Sequence, residues 1–119
     1  MAHEIVQIDD ALVSVRIHGV MRLADMEAIQ SLSGDLIGQG KKPRCLILVE
    51  DFQGWDKQDD WNDIGFFVEH GDDIAKMAIV GEERWKDNIY LFVGKGLRKT
   101  EIEFFPASAR QEAEAWLRA

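Results

Sequence analysis

Apolar positions recur along this chain with two periods, and the period switches several times. Glu4–Ile8 and Leu12–His18 alternate; in the second segment Leu12, Ser14, Arg16 and His18 fall on one side, and Val13, Val15 and Ile17 on the other. The alternation predicts two short strands, with Asp9-Asp10 as the hairpin turn between them. From Arg22 to Ile37 the apolar positions become Met26, Ile29, Leu32, Leu36 and Ile37, the spacing of an amphipathic helix. Gly38 and Gly40 end it, and Pro43 prevents its return. Cys45-Leu46-Ile47-Leu48-Val49 follows with no polar break, as in a strand covered on both faces.

The second half repeats the scheme. Asp59 or Asp60 can cap a helix running to about His70, with Trp61, Ile64, Phe67 and Val68 on its inner face. Lys76–Val80 is a short strand ended by Gly81. Glu82–Lys95 is a third helix, with acids at its positive end and Trp85, Ile89, Phe92 and Val93 facing inward. Lys99–Phe105 is a fifth strand. Ser108 and Gln111 have capping-box spacing, and a last helix buries Ala109, Ala113, Trp116 and Leu117. The order β-β-α-β-α-β-α-β-α predicts one α/β domain over residues 1–119. Its five-stranded sheet is mixed but mostly parallel, with right-handed crossovers and four helices.

Three segments carry a resemblance to a known family. KMAIVGEERW (76–85), EFFP (103–106) and AEAWL (113–117) resemble the SpoIIAA-like family of small bacterial proteins, which are related to STAS domains and similar in fold to CRAL-TRIO lipid-binding domains. With the element order, the resemblance spans nearly the whole chain. It implies a STAS-like sheet, and either a lipid-type pocket or a protein-interaction role. Members that act as anti-sigma-factor antagonists carry a phosphorylatable Ser after the central strand, in an Asp-Ser-Ser-Gly-like turn. This chain has Asp51-Phe52-Gln53-Gly54-Trp55 there, and no Ser or Thr occurs from Gly34 to Lys99. A switch that adds roughly −1.5 to −2 charge at one hydroxyl has nothing to act on. Glu103 also stands where the family tends to have a basic residue.

Composition narrows the function classes. Fourteen basic and 22 acidic residues leave a net charge of −8. Nucleic-acid binding needs Lys and Arg to neutralise phosphates, so no nucleic-acid partner is expected. The same charge makes contact with an anionic membrane weak. Cys45 is the one cysteine, and its apolar neighbours make it a buried small hydrophobe. MAHEIVQIDD lacks a basic region followed by an apolar stretch, so it is not a secretory signal, and a reducing cytoplasm fits.

No catalytic set can be assembled. His3, His18 and His70 lie in separate elements without ligand spacing, and no metal or cofactor is expected. Asp56, Asp59, Asp60 and Asp63 have helical spacing, but they read as a solvated helix start. GKGLRKT (94–100) follows a helix and enters a strand, so it reads as a helix C-cap and not as a phosphate loop. Trp55 and Phe66 are surplus to the core pattern, as are Tyr90 and Leu91.

The leading expectation is a non-enzymatic binding domain for an apolar or amphiphilic, lipid-like molecule, with transient membrane contact. Trp61, Ile64, Phe66, Phe67, Trp85, Ile89 and Phe92 would line its pocket, and the loop around Trp55 would gate it. Loops after strand C-termini are where open α/β sheets bind ligands. The alternative is a STAS-like interaction module. Its acidic stretch 50–63 would dock on a basic partner, or on the basic cluster Arg84, Lys86, Lys95, Arg98 and Lys99 of a second copy in a homodimer.

Overall fold

The chain runs β1 (His3–Gln7), β2 (Leu12–His18), α1 (Leu23–Gly38), β3 (Arg44–Glu50), α2 (Gly65–His70), β4 (Lys76–Gly81), α3 (Lys86–Val93), β5 (Glu101–Pro106) and α4 (Arg110–Arg118). Single 3-10 turns at Glu83–Trp85 and Ala107–Ala109 lead into α3 and α4. The computed structural model describes residues 3–7, 11–59, 61 and 65–119.

β1 is antiparallel to β2, and β2, β3, β4 and β5 lie side by side, parallel and in chain order. The strand order therefore never reverses. In doubly wound sheets the ligand crevice opens at such a reversal, so this sheet has no crevice of that origin.

Register sorts the strand residues onto two faces. Val13, Cys45, Met77 and Ile102 form one row on the first face. There Met26, Ile29, Leu32 and Leu36 of α1 pack against Val13, Val15 and Ile17. Ile89 and Val93 of α3 pack against Cys45, Met77, Ile79 and Ile102. On the second face Ala113 and Leu117 of α4 cover Leu46, Leu48, Ala78 and Val80, with Phe105 and Trp116 at the margin. This two-sided cover is why β3 and β4 read as unbroken apolar runs.

Two cations fix the C-terminal end of α4 to the sheet. Lys76 Nζ donates to the carbonyls of Trp116 (2.9 Å) and Ala119 (3.2 Å). Arg44 Nη1 donates to the carbonyl of Leu117 (2.6 Å). Last-turn carbonyls have no intrahelical donor, so cations there satisfy both the acceptors and the dipole. The β1–β2 end of the same face is left open and carries Ser14, Arg16 and His18.

The elements agree with the hydrophobic pattern, with four local departures. Among the described residues the regular helix α2 covers Gly65–His70. Trp61 lies outside the helix, and Asp56 and Asp59 lie in the turn segment before it, so these two acids are not part of the expected helix start. Val68, expected on the inner face, is 73 % exposed. No side-chain cap forms at α4 or at the turn before it; Ser108 lies inside that turn, exposed, so the expected capping box is absent. The Asp9-Asp10 turn, Asp60, Asp63 and Ile64 lie outside the described residues.

Leu117 is fully buried. Leu117→Ala is expected to destabilise the fold by about 2–5 kcal/mol in urea unfolding. Ser108→Ala should change stability by less than about 0.5 kcal/mol, because no cap is lost.

Candidate functional site

The segment leaving β3 turns inward. Asp51 adopts a left-handed backbone (φ 46°), which Asp tolerates better than most residues. Gly54 is also left-handed (φ 92°), a conformation that strains any residue with a Cβ. Between them the chain zips along residues 19–21. Gly19 N–H donates to Glu50 O (3.3 Å), Gln53 N–H to Gly19 O (3.0 Å), Met21 N–H to Gly54 O (2.9 Å) and Asp56 N–H to Met21 O (2.9 Å). The β2–β3 pairing is thus continued as a strap beyond the strands, ending in a parallel bridge between Met21 and Trp55.

This strap buries Phe52 to 3 % exposure. Its ring meets Trp55 edge-on (5.1 Å, 88°) and Trp85 (4.9 Å, 75°). Trp55 and Trp85 are T-shaped to each other at 6.2 Å, and Trp55 lies 4.9 Å from Phe92. Trp61 closes the cluster on Phe92 (5.5 Å, 79°), its indole N–H donating to Asp56 O (2.8 Å). The indole nitrogens of Trp55 and Trp85 are buried without a hydrogen-bond partner. Edge-to-face packing, which sets electropositive ring edges against electronegative ring faces, suits such donors.

Beneath the cluster lies a cavity of about 80 Å³ with a wholly apolar lining that includes Met21, Met26, Met77, Phe52, Trp55 and Phe92. Ligand pockets usually have about 300–1,000 Å³. Polar partners are needed to hold a buried water, and this lining offers none.

Of the residues expected to line a pocket, Trp55, Ile89 and Phe92 do so. Trp61 and Trp85 instead buttress the ring cluster from outside the cavity. Ile64 and the side chains of Phe66 and Phe67 lie outside the described residues. Tyr90, counted as surplus, packs on Phe104 (6.3 Å) and accepts the Phe104 N–H (3.0 Å). Leu91 is 83 % exposed. Sequence reasoning missed Phe52 and the three methionines. The signal for Phe52 was available: it is the apolar residue of Asp51-Phe52-Gln53, where a solvated loop has no need of one.

The acids of the strap serve the fold. Asp59 Oδ2 accepts the Leu23 N–H (2.9 Å) at the start of α1 and the Arg22 Nε–H (3.1 Å). Asp56 Oδ2 lies 2.9 Å from Arg22 Nε, and Asp25 accepts the Arg22 N–H (2.7 Å). The Leu23 amide, and next Arg22, hold the Asp59 carboxyl below its ordinary range, and Asp59 in turn raises the Arg22 guanidinium. Asp59 therefore caps α1 from across the chain, not the helix that follows it.

The basic cluster is likewise engaged locally. Arg84 pairs with Glu82 (3.2 Å), and Lys95 pairs with Glu103 (3.7 Å). Arg98 donates to Gly71 O (2.7 Å) and Val93 O (3.0 Å), tying the end of α2 to the end of α3. Gly94 is the left-handed C-cap of α3, as the reading of GKGLRKT implies. Among the described residues no group of three His, Cys, Asp or Glu is placed to hold a metal ion. No helix among them is long and apolar enough to cross a membrane. Cys45 is buried, and burial raises its thiol to about 11.

A family model described as SpoIIAA-like matches residues 12–118. No curated protein matches the chain. Among solved structures, an uncharacterized protein of the DUF3478 family with a SpoIIAA-like fold, from Shewanella loihica PV-4, is similar to it. Identity is 21 %, the match covers 98 % of this chain and 92 % of that one, and the TM-score is 0.70. At that identity the likeness speaks to the fold alone.

A depressed carboxyl stabilises the fold above its ordinary pKa, and the contribution is lost as pH falls through the lowered value. Asp59→Ala is thus expected to lower the thermal midpoint at neutral pH, with the gap from wild type closing as the pH falls below the ordinary aspartate value of 3.8. Cys45 should resist a water-soluble disulfide reagent at neutral pH and react at the rate of unfolding; fast native-state labelling would contradict its burial.

Proposed function

The chain belongs to the SpoIIAA-like family, and on that premise we propose that it is a regulatory or protein-interaction module that runs no reaction of its own and carries no phosphorylation switch after its central strand. The observation that carries this reading is the burial of Phe52. Regulatory members resembling this chain place a serine after the Asp of the turn, where added phosphate changes what a partner meets. Here Phe52 follows Asp51, and its ring is held by Trp55 and Trp85. A benzyl side chain accepts no phosphoryl group, and the strap around it is bonded along its length to residues 19–21. This turn therefore offers a partner one constant surface, and regulation at it has to come from the partner or from its supply.

The carrier reading has less support. An apolar cavity of about 80 Å³ is too small for an acyl chain unless the ring cluster comes apart. The acids first assigned to partner docking are also poor candidates, since Asp56 and Asp59 are committed to Arg22 and α1.

Native mass spectrometry of the purified protein is expected to give the bare 13.6 kDa chain with no extractable amphiphile. Cross-linking in the producing cells should join it to another protein in a yield that phosphatase treatment leaves unchanged. A reproducible bound amphiphile together with no protein cross-link would reject the module in favour of the carrier. Phe52→Ser restores a hydroxyl at the turn, and should destabilise the fold by about 3–5 kcal/mol instead of restoring a switch.

A further inference from the structure

We propose that the outer edge of β1 is a strand-addition site for an extended, basic segment of a partner protein, with Lys or Arg set opposite Glu4. The inference rests on the interaction reading above and names the partner's chemistry.

A sheet edge presents unpaired N–H and C=O groups that template a further strand. The two edges of this sheet are treated differently. At β5 the outward backbone is already occupied: Tyr90 Oη accepts the Phe104 N–H (3.0 Å), and Lys95 Nζ donates to the Ile102 carbonyl. Lys95 also pairs with Glu103. Both groups come from α3 and the turn after it, so a strand approaching β5 would have to displace them. β1 pairs with β2 over His3–Gln7, and among the described residues no side chain occupies its outer backbone groups.

The face beside this open edge supplies the specificity. Glu4 stands opposite Arg16 in the β1–β2 register. Arg16 Nε lies 2.6 Å from Glu50 Oε1 on β3. From β3 outward the charges therefore run negative, positive, negative, across the part of the face that α4 leaves uncovered. The series stops at an exposed acid on the free edge. A strand added beyond β1 lies about 4.8 Å away, and its residue opposite Glu4 has its Cβ within about 5.5 Å. Opposite charges at that separation stabilise the pair and like charges destabilise it. The net charge of −8 adds longer-range attraction for a basic segment and repulsion for a second copy of this chain. Main-chain bonds would supply affinity, and alternate side chains the selectivity.

The test uses a short end-blocked peptide alternating Val and Lys, and its counterpart with Glu for Lys, followed by amide-resolved NMR of the full chain. The Lys peptide is expected to shift amides of His3–Gln7 and Leu12–His18, and the Glu peptide to bind more weakly. Glu4→Lys should reverse the preference by about two- to fivefold per cross-strand pair. Lys at this position would face Arg16, so the variant's thermal midpoint is expected to fall slightly, and binding is compared at a temperature where both chains are fully folded. If β1 amides stay unmoved by the Lys peptide, or both peptides bind alike, the strand-addition site is rejected. Shifts confined to another surface also reject it, while leaving the interaction module standing. A dimer in sedimentation, with β1 amides protected, would replace the basic partner by a second copy and equally overturn the proposal.

Discussion

The burial of the Phe52 ring between Trp55 and Trp85 governs the C-terminal end of the sheet. Burying such a side chain contributes about 1.5–3 kcal/mol, and each edge-to-face aromatic contact about 0.5–1.5 more. That is enough to offset the left-handed backbone at Asp51, which costs about 1–3 kcal/mol. With the ring inside, the strap lies along residues 19–21, and Asp56 and Asp59 arrive at the start of α1. Trp55 then roofs the small cavity, and Trp61 packs on Phe92. One apolar residue in an acidic loop thus joins the end of β3 to α1 and α3 at once.

The consecutive strand order has its own consequences. α1 and α3 cover one face and α4 alone part of the other, so the uncovered polar end of that second face lies beside β1. β5, at the opposite edge, is guarded by Tyr90 and Lys95. The two edges of the sheet therefore differ: β5 has side chains on its outward backbone, and β1 is the edge proposed for strand addition. A reading that searched only the loops after strand C-termini overlooked this edge, because that rule applies where strand order reverses.

The acids show how charge in a sequence misleads about surfaces. The acidic stretch 50–63, with Asp56, Asp59, Asp60 and Asp63 at helical spacing, looks like a docking surface in the sequence. In the folded chain Asp56 and Asp59 are ligands of Arg22 and of the α1 amide ends, so their charge is spent within the domain. Lys95 and Arg98 behave likewise, one on the edge of β5 and the other between α2 and α3. Glu4 on β1, an exposed acid opposite Arg16, is one that no spacing rule singles out.

The sequence alone determined the elements and their order. Alternation, helical spacing and an unbroken apolar run follow directly from how many faces each element must bury, and that count is local. It therefore also determined the mostly parallel sheet and the last helix on Ala113 and Leu117. The absence of a hydroxyl after the central strand is legible from residue types alone. Only the tertiary structure decided that Phe52 turns inward, that Asp59 caps α1, that three methionines meet at one cavity, and that Tyr90 and Lys95 guard β5. Each of these joins residues distant in the chain, such as Asp59 to Leu23 or Phe52 to Trp85. Contacts of that kind depend on register and packing between elements, and no periodicity within an element encodes them.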